Sequence, residues 1–399
     1  MTTTDPTDSA ATADAAGTAT TATRATTATT ATTATPDAGV DREAANEFAG
    51  RLVGIFSGAL LTSLIDIGRR TGLFDAAGRG PATCEELAER AGLQPRYVQE
   101  WLGAMATGGI VEYEASTGTY WLPREHAVWL TGDTPENLTG LALLATSVAP
   151  HVGAVTEAFR NGGGVTYDTY VPAIHEALEA LWGPIYAQLL VPSYLPLAPG
   201  LTERLTSGAR VADVACGTGK ALLALAEAFP ASTFVGYDLD GAGLDRARGA
   251  ASERGLANLT FEQVDAAELA VDEPFDVVFV FNAIHDQVQP ATVLRRIHDA
   301  LVPGGTFFMD EPRISSHLAD NIGHPLAPLV YAISTLHCLP VSLAHDGAGL
   351  GTAWGEQVAR RMLADAGFGP VTVHDAPGDP GNAVFITTRP TTVPTTGPA

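Results

Sequence analysis

The pattern of apolar and polar positions divides the chain into a helical first half and a regularly alternating second half. Phe48, Leu52, Ile55, Phe56, Leu60, Leu64 and Ile67 recur at helical spacing over 44–72, and Gly72 marks the stop. Residues 81–92 predict a short helix whose Thr83 and Glu86 have the spacing of a capping box. A second helix follows over 93–105, and 110–113 and 118–123 then alternate like a two-stranded wing. Residues 137–200 read as a helical middle holding a loop at 161–170, in which Gly162, Gly163 and Gly164 form a hinge. Beyond 201 the period changes. Apolar runs at 211–215, 233–237, 259–265, 275–281 and 305–310 are separated by helical segments, and 371–374 and 383–388 predict a closing antiparallel pair. Such alternation predicts an α/β sheet. The uninterrupted run 275–281 predicts a strand buried on both faces.

Composition narrows the function classes. With 399 residues the chain has room for two or three domains. Its 22 basic against 45 acidic residues give a net charge of −23, which opposes binding to phosphate backbones. Lys220 is the only lysine. Cys84, Cys216 and Cys338 are widely spaced and form no CxxC, which argues against a disulfide framework or structural zinc and fits a reducing cytoplasm. A basic region followed by an apolar one is missing near residue 1, so no secretory signal is expected. The most apolar stretch, 138–155, is broken by Gly140, Pro150, His151 and Gly153 and reads as a core helix, not a membrane span. The Thr/Ala repeats from 2 to about 39 lack large apolar residues, so a disordered tail is expected there.

Candidate chemistry starts at 210–240. The apolar run 211–215 meets a turn containing Gly217 and Gly219, a helix opens at Lys220, and a second strand ends on Asp238. In doubly wound sheets ligands bind at such strand ends, and an acid about 20 residues past the turn suits ribose hydroxyls. A phosphate-binding loop would need Gly at 214 and Ser or Thr after the lysine, where the chain has Val214 and Ala221. A dinucleotide fingerprint would need a small third residue, and Leu222 stands there.

The remaining pattern, Asp213-x-Ala215-x-Gly217-x-Gly219, resembles motif I of class I S-adenosylmethionine-dependent methyltransferases, with Ala215 where that family usually has Gly. The resemblance extends along the α/β half and implies a Rossmann-like sheet with S-adenosyl-L-methionine as cofactor. It places Asp213, Ala215, Gly217 and Gly219 at the amino acid end of the cofactor. Asp238 and the adjoining Leu239 fall at the ribose, Asp265 and Ala266 at the adenine, and Asn282 at the end of strand four. Pro303-Gly304-Gly305 matches the usual turn before strand five. His285 with Asp286 is similar to the His-Asp pair of dimeric small-molecule O-methyltransferases, which implies His285 as the base and Asp286 at the substrate, although Gln287 replaces the usual aromatic. The other reading of His285 is a residue packing beside the cofactor. Glu311 is an alternative base or a substrate anchor.

The helix-turn-helix and wing resemble a winged-helix domain, so the expected fold is α/β with a mostly α winged-helix domain before the sheet. In related small-molecule methyltransferases that domain serves dimerisation and substrate enclosure. The expected divisions are a disordered tail at 1–41, the winged-helix-like domain at 42–133, a helical linker and pocket roof at 134–200, the methyltransferase domain at 201–390 and a tail at 391–399. Its second helix carries Arg96 and Gln99 but also Glu100, Val98, Trp101 and Leu102, a poor composition for reading DNA. The segments 324–334, 336–338 and 349–356 resemble the C-terminal signature of a bacterial winged-helix methyltransferase group whose members are also described as transcriptional regulators. His324, His337 and Cys338 are read as lining the acceptor pocket or binding a soft metal, with ordinary core residues as the other reading of His337 and Cys338. Tyr170 and Tyr186 either cap that pocket or belong to a surface loop and the core. The implied partners are a small apolar or aromatic acceptor and a second copy of the chain, with neither nucleic acid nor membrane. The alternatives are a regulator that senses the cofactor or a metabolite, and a cofactor-dependent rearrangement without methyl transfer.

Overall fold

The computed structural model describes residues 39–391, so the tails at 1–38 and 392–399 lie outside the described residues. The chain divides into two units, Met1–Gly54 and Ile55–Ala399. Of the first, the described part opens α1 (Arg42–Thr71). The Asp41 carboxylate starts that helix by accepting from the backbone N–H groups of Glu43 and Ala44 at 3.0 and 3.1 Å.

The second unit begins with a small helical layer. After α1 come α2 (Leu73–Gly78), α3 (Cys84–Ala91) and α4 (Pro95–Thr107), then the wing of β1 (Glu112–Glu114) and β2 (Thr119–Trp121), then α5 (Arg124–Leu130). Thr83 and Glu86 form the expected capping box, with bonds of 3.3 and 2.8 Å. Helix α4 turns Val98, Trp101, Leu102 and Met105 into the core, where the Trp101 indole donates to the Leu64 carbonyl at 2.8 Å. Its outer face pairs Arg96 with Glu100 at 2.5 Å.

The helical middle comprises α6 (Thr139–Val148), α7 (Val152–Asn161) and α8 (Ala173–Leu189). Gly140 lets α6 lie against α8, since a Cβ there would sit 2.8 Å from the Leu181 Cα. By length and composition, α1 and the stretch 139–161 each match a membrane span, with 44% of the apolar window of the second buried inside the fold and none of the first. The glycine loop is not a free hinge along its whole length. Val165 N donates to Pro340 O at 3.1 Å, and a Cβ on Gly164 would overlap the Pro340 carbonyl oxygen and the Ala344 nitrogen. The third glycine is there for close backbone approach.

The α/β half runs α9 (Leu201–Ser207), β3 (Arg210–Val214), α10 (Lys220–Ala228), β4 (Thr233–Asp238), α11 (Gly241–Glu253), β5 (Leu259–Gln263), β6 (Phe275–Phe281), α12 (Pro290–Ala300) and β7 (Leu301–Pro312). Helices α13 (Leu318–Asn321), α14 (Ala327–Ile333), α15 (Leu339–Leu343) and α16 (Gly355–Asp365) precede the closing strands β8 (Thr372–Asp375) and β9 (Asn382–Thr388). The seven strands are ordered β5-β4-β3-β6-β7-β9-β8, with β9 antiparallel to both of its neighbours. Alternate side chains enter two cores. Val211, Phe279 and Phe308 face one side of the sheet with Leu222, while Ala212, Val278 and Phe307 face the other with Leu294. The Pro303-Gly304-Gly305 segment is a bulge inside β7, because the register with β6 jumps from Leu301 to Thr306.

Candidate active site

One cavity of about 1190 Å³ opens over the carboxyl ends of β3, β4 and β6. Its floor comes from the loops that leave these strands. Ala215 after β3 and Asn282 after β6 have φ of 60° and 54°, so both strands end on left-handed residues that swing the chain aside and leave a crevice. An alanine in that conformation carries about 1 kcal/mol of strain.

The acids on this floor stand at strand ends. Asp213 is buried, lines the cavity and leaves Oδ1 without a partner. Asp238 bridges the two loops, accepting from Gly217 N through Oδ2 at 2.7 Å and from Asp240 N through Oδ1 at 2.8 Å. Burial raises both carboxyls above their usual range, and for Asp238 the two N–H donors oppose that rise. Asp265 accepts from Ala267 N at 2.8 Å and lines the cavity with Ala266 and Leu239. Gly217 faces open space at the position of a Cβ, whereas Gly219 is set back from the cavity. A Cβ on Gly219 would lie 2.8 Å from the Phe261 ring, so its role is packing.

The roof is α8. Its Glu179 pairs with Lys220 at 3.2 Å and with Arg246 at 2.8 Å. His175 Nε2 lies 2.7 Å from Asp240 Oδ2, at an angle outside hydrogen-bond geometry. These residues lie over the Asp238 end of the cavity. At the other end the walls are apolar, with Leu141, Leu144, Leu178 and Trp182 facing Leu329, Val330, Ile333 and Val341. Tyr186 lines the cavity against Phe281, with ring centroids 4.9 Å apart, and the Trp182 indole donates to Asp379 at 2.9 Å.

Between floor and walls sits a buried pair. His285 Nδ1 is 2.6 Å from Glu311 Oε2, whose other oxygen accepts from Ile284 N at 2.8 Å. The Trp354 indole donates to Oε2 at 3.2 Å. Burial alone would lower the His285 imidazole, but the Glu311 carboxylate, helped by Cys338, carries it well above the ordinary histidine value. Asp286 beside it is pushed up to about 6 by burial.

Several expected site residues fall elsewhere. Glu311 is fully buried and turned to His285 instead of the cavity, so it is neither a free base nor a substrate anchor. Tyr170 stands behind the wall: its hydroxyl donates to the Leu336 carbonyl at 2.8 Å and its ring braces His337. His324 lies in a separate depression of about 360 Å³ beside Leu318 and Tyr331. His337 and Cys338 do line the cavity, but among the described residues no group of three or more His, Cys, Asp or Glu is placed to hold a metal ion. Sequence reasoning missed His175, Glu179, Asp240 and Asp379. Only the acid Asp240, two residues past Asp238, carried a local signal, as a helix cap.

Comparison with known proteins follows the same division. Residues 59–132 match an Rv2258c-like winged HTH domain, and 205–352 match a methyltransferase domain. A trans-aconitate 2-methyltransferase of Deinococcus radiodurans is 34% identical over 114 residues, 29% of this chain and 42% of that protein. The chain therefore spans only about two-fifths of the length of the first such relatives. A candidate O-methyltransferase of Nostoc punctiforme PCC 73102 superposes with a TM-score of 0.67 at 19% identity, covering 85% of this chain and 98% of that one. Human N-acetylserotonin methyltransferase in complex with SAM superposes with a TM-score of 0.60 at 15% identity, covering 86% and 98%. At such identities the likeness establishes the fold.

Proposed function

We propose that this chain, which joins a winged helix-turn-helix domain to a class I methyltransferase domain, transfers a methyl group from S-adenosyl-L-methionine to a small, largely apolar or aromatic acceptor. The observation that carries the reading is one cavity lined by Asp213, Gly217, Asp238 and Asp265 on its floor and by His285, which is backed by the buried Glu311. These residues fit the cofactor. Asp213 Oδ1 is a buried acceptor without a partner, and nothing stands within 4 Å of a Cβ on Gly217. Asp238 would hold the ribose and Asp265 with Ala266 the adenine. Asp213, Ala215 and Gly217 would hold the amino acid end, and Asn282 would close the crevice beside them.

When bound, the cofactor supplies an activated methyl group on a sulfonium. The remaining work is alignment and proton removal. Alignment in an enclosed cavity contributes up to several kcal/mol, and here the apolar walls and the α8 roof hold the acceptor away from water. His285 serves as the proton acceptor, and Glu311 orients its ring and stabilises the imidazolium that forms. Glu311 is thus a positioning residue. Calorimetry with S-adenosylmethionine, followed by mass spectrometry for a product heavier by one methylene, tests the reading. An intact protein that does not bind the cofactor would overturn it, as would a turned-over acceptor of unchanged mass.

The same reading takes the chain as a homodimer in the cytoplasm. Ile55, Phe56 and Leu60 of α1 are 63, 61 and 71% exposed, an apolar stripe suited to a second copy. Light scattering reads that state directly. The regulator reading draws on the winged-helix match, but Arg96 is already paired with Glu100 on a chain of net charge −23. A gel shift at low salt would reopen it.

A further inference from the structure

The amino acid end of S-adenosyl-L-methionine carries two opposite charges, an ammonium and a carboxylate. The cavity floor suits only the first, since Asp213, Asp238 and Asp265 are acids and would repel a carboxylate. A carboxylate taken from water needs a cation or N–H donors in exchange. Among the described residues that line the cavity, Lys220 is the single lysine or arginine. The cavity histidines are otherwise placed. His175 stands 2.7 Å from Asp240, His285 is bound to Glu311, and burial lowers His337 to about 3, which keeps it neutral. His345 lies on the exposed turn after α15.

Lys220 opens α10 directly after the Gly217–Gly219 turn. Ala215, Gly217, Thr218, Lys220 and Ala221 all line the cavity, so its ammonium stands beside the loop given above to the amino acid end. The side chain is 36% exposed and is therefore open to a ligand. Lys220 Nζ lies 3.2 Å from one oxygen of Glu179, and an Arg246 guanidinium nitrogen lies 2.8 Å from the other. Glu179 is the one acid paired with either cation among the described residues. Two cations against one carboxylate leave a positive charge uncompensated at the edge of the cavity. The first turn of α10 adds the partial positive charge of a helix N-terminus.

We propose that Lys220 is a specificity residue that binds the carboxylate of the cofactor, with Glu179 holding its ammonium in position. The inference rests on the methyltransferase reading and deepens it, because it names the side chain that tells an intact amino acid end from one without its acid. Glu179 is a positioning residue: from the α8 roof it draws the flexible lysine stem over the cavity instead of out to solvent. A lysine suits the place, since its ammonium has three rotatable donors and can serve Glu179 and a ligand oxygen together. With a carboxylate bound, two anions face two cations and no charge is covered unpaired.

The test is calorimetry on the full chain with two ligands, S-adenosylmethionine and its decarboxylated form. The second keeps the sulfonium and the amino group and lacks only the acid. The wild type is expected to bind the first about 5- to 50-fold more tightly, between an exposed ion pair and a hydrogen bond to a charged group in an enclosed site. Lys220→Met keeps the stem, removes the charge and leaves Glu179 paired with Arg246. It should weaken S-adenosylmethionine by that same factor and change the decarboxylated ligand by less than about twofold. Lys220→Arg should restore part of the preference, and Lys220→Gln replaces the methionine variant should that one not fold. Equal affinity of the wild type for both ligands overturns the inference, as does a preference that survives in Lys220→Met. A folded variant that loses both ligands equally overturns it too, since the residue then supports the roof and not the carboxylate. Binding of both ligands without preference removes the role of Lys220 alone, whereas a wild type that binds neither removes the methyltransferase reading itself.

Discussion

Asp238 is where a single atom pair links the fold to the proposed cofactor. Its two oxygens accept from Gly217 N and Asp240 N, so the carboxylate holds the β3 and β4 loops at a fixed separation. Replacing it by Asn keeps the shape and removes the charge. The amide oxygen still satisfies one N–H, but its NH₂ opposes the other, which costs roughly 1–3 kcal/mol of stability. A hydrogen bond from the cofactor to a charged oxygen contributes about 1.5–3 kcal/mol. At about 1.4 kcal/mol per factor of ten, its loss weakens binding about 10- to 100-fold. Calorimetry with S-adenosylmethionine and a denaturant titration on the same sample measure both quantities. The pH dependence has a definite sign. Because burial raises Asp238, protonation begins at milder acidity than for a free aspartate, and affinity falls as pH falls through that raised value. A folded Asp238→Asn protein with wild-type affinity would refute the assignment, as would affinity independent of pH on the acid side.

Five further outcomes follow from the geometry. His285→Gln should lower turnover by about 10²- to 10⁴-fold while cofactor affinity, read by calorimetry, holds; unchanged turnover would remove His285 as base. In a pH–rate profile the acid limb should lie above the ordinary histidine value, since the base works only when deprotonated and Glu311 raises it. Glu311→Gln removes the chief charge that opposes burial and should move that limb down, and a limb that stays in place would separate Glu311 from the proton step. Gly164→Ala should destabilise the protein by about 1–3 kcal/mol or more through overlap with the backbone at 340 and 344, seen as a lower Tm. For the proposed homodimer, Leu60→Glu should shift light scattering from dimer to monomer; a persistent dimer would place the interface elsewhere, and a wild-type monomer would remove the proposal.

Much of this site was legible because strand ends are local. The change from helical spacing to short apolar runs announces the sheet, and Asp213, Asp238 and Asp265 fall at strand ends by counting alone. The capping box at Thr83 and Glu86 was equally readable, since its bonds span three residues. What the sequence could not place were side chains whose partners are distant along the chain. Glu311 meets His285 across 26 positions, and His175 on the roof meets Asp240 across 65. Tyr170 was displaced from the cavity wall by its bond to Leu336, 166 residues away. Periodicity reports which face of an element is apolar, and therefore the layers. It carries no information on which loop from one layer stops above which strand of another. That choice belongs to packing: Gly140 and Gly164 permit close backbone approach, and the resulting roof brings His337, Cys338 and His285 together in one cavity.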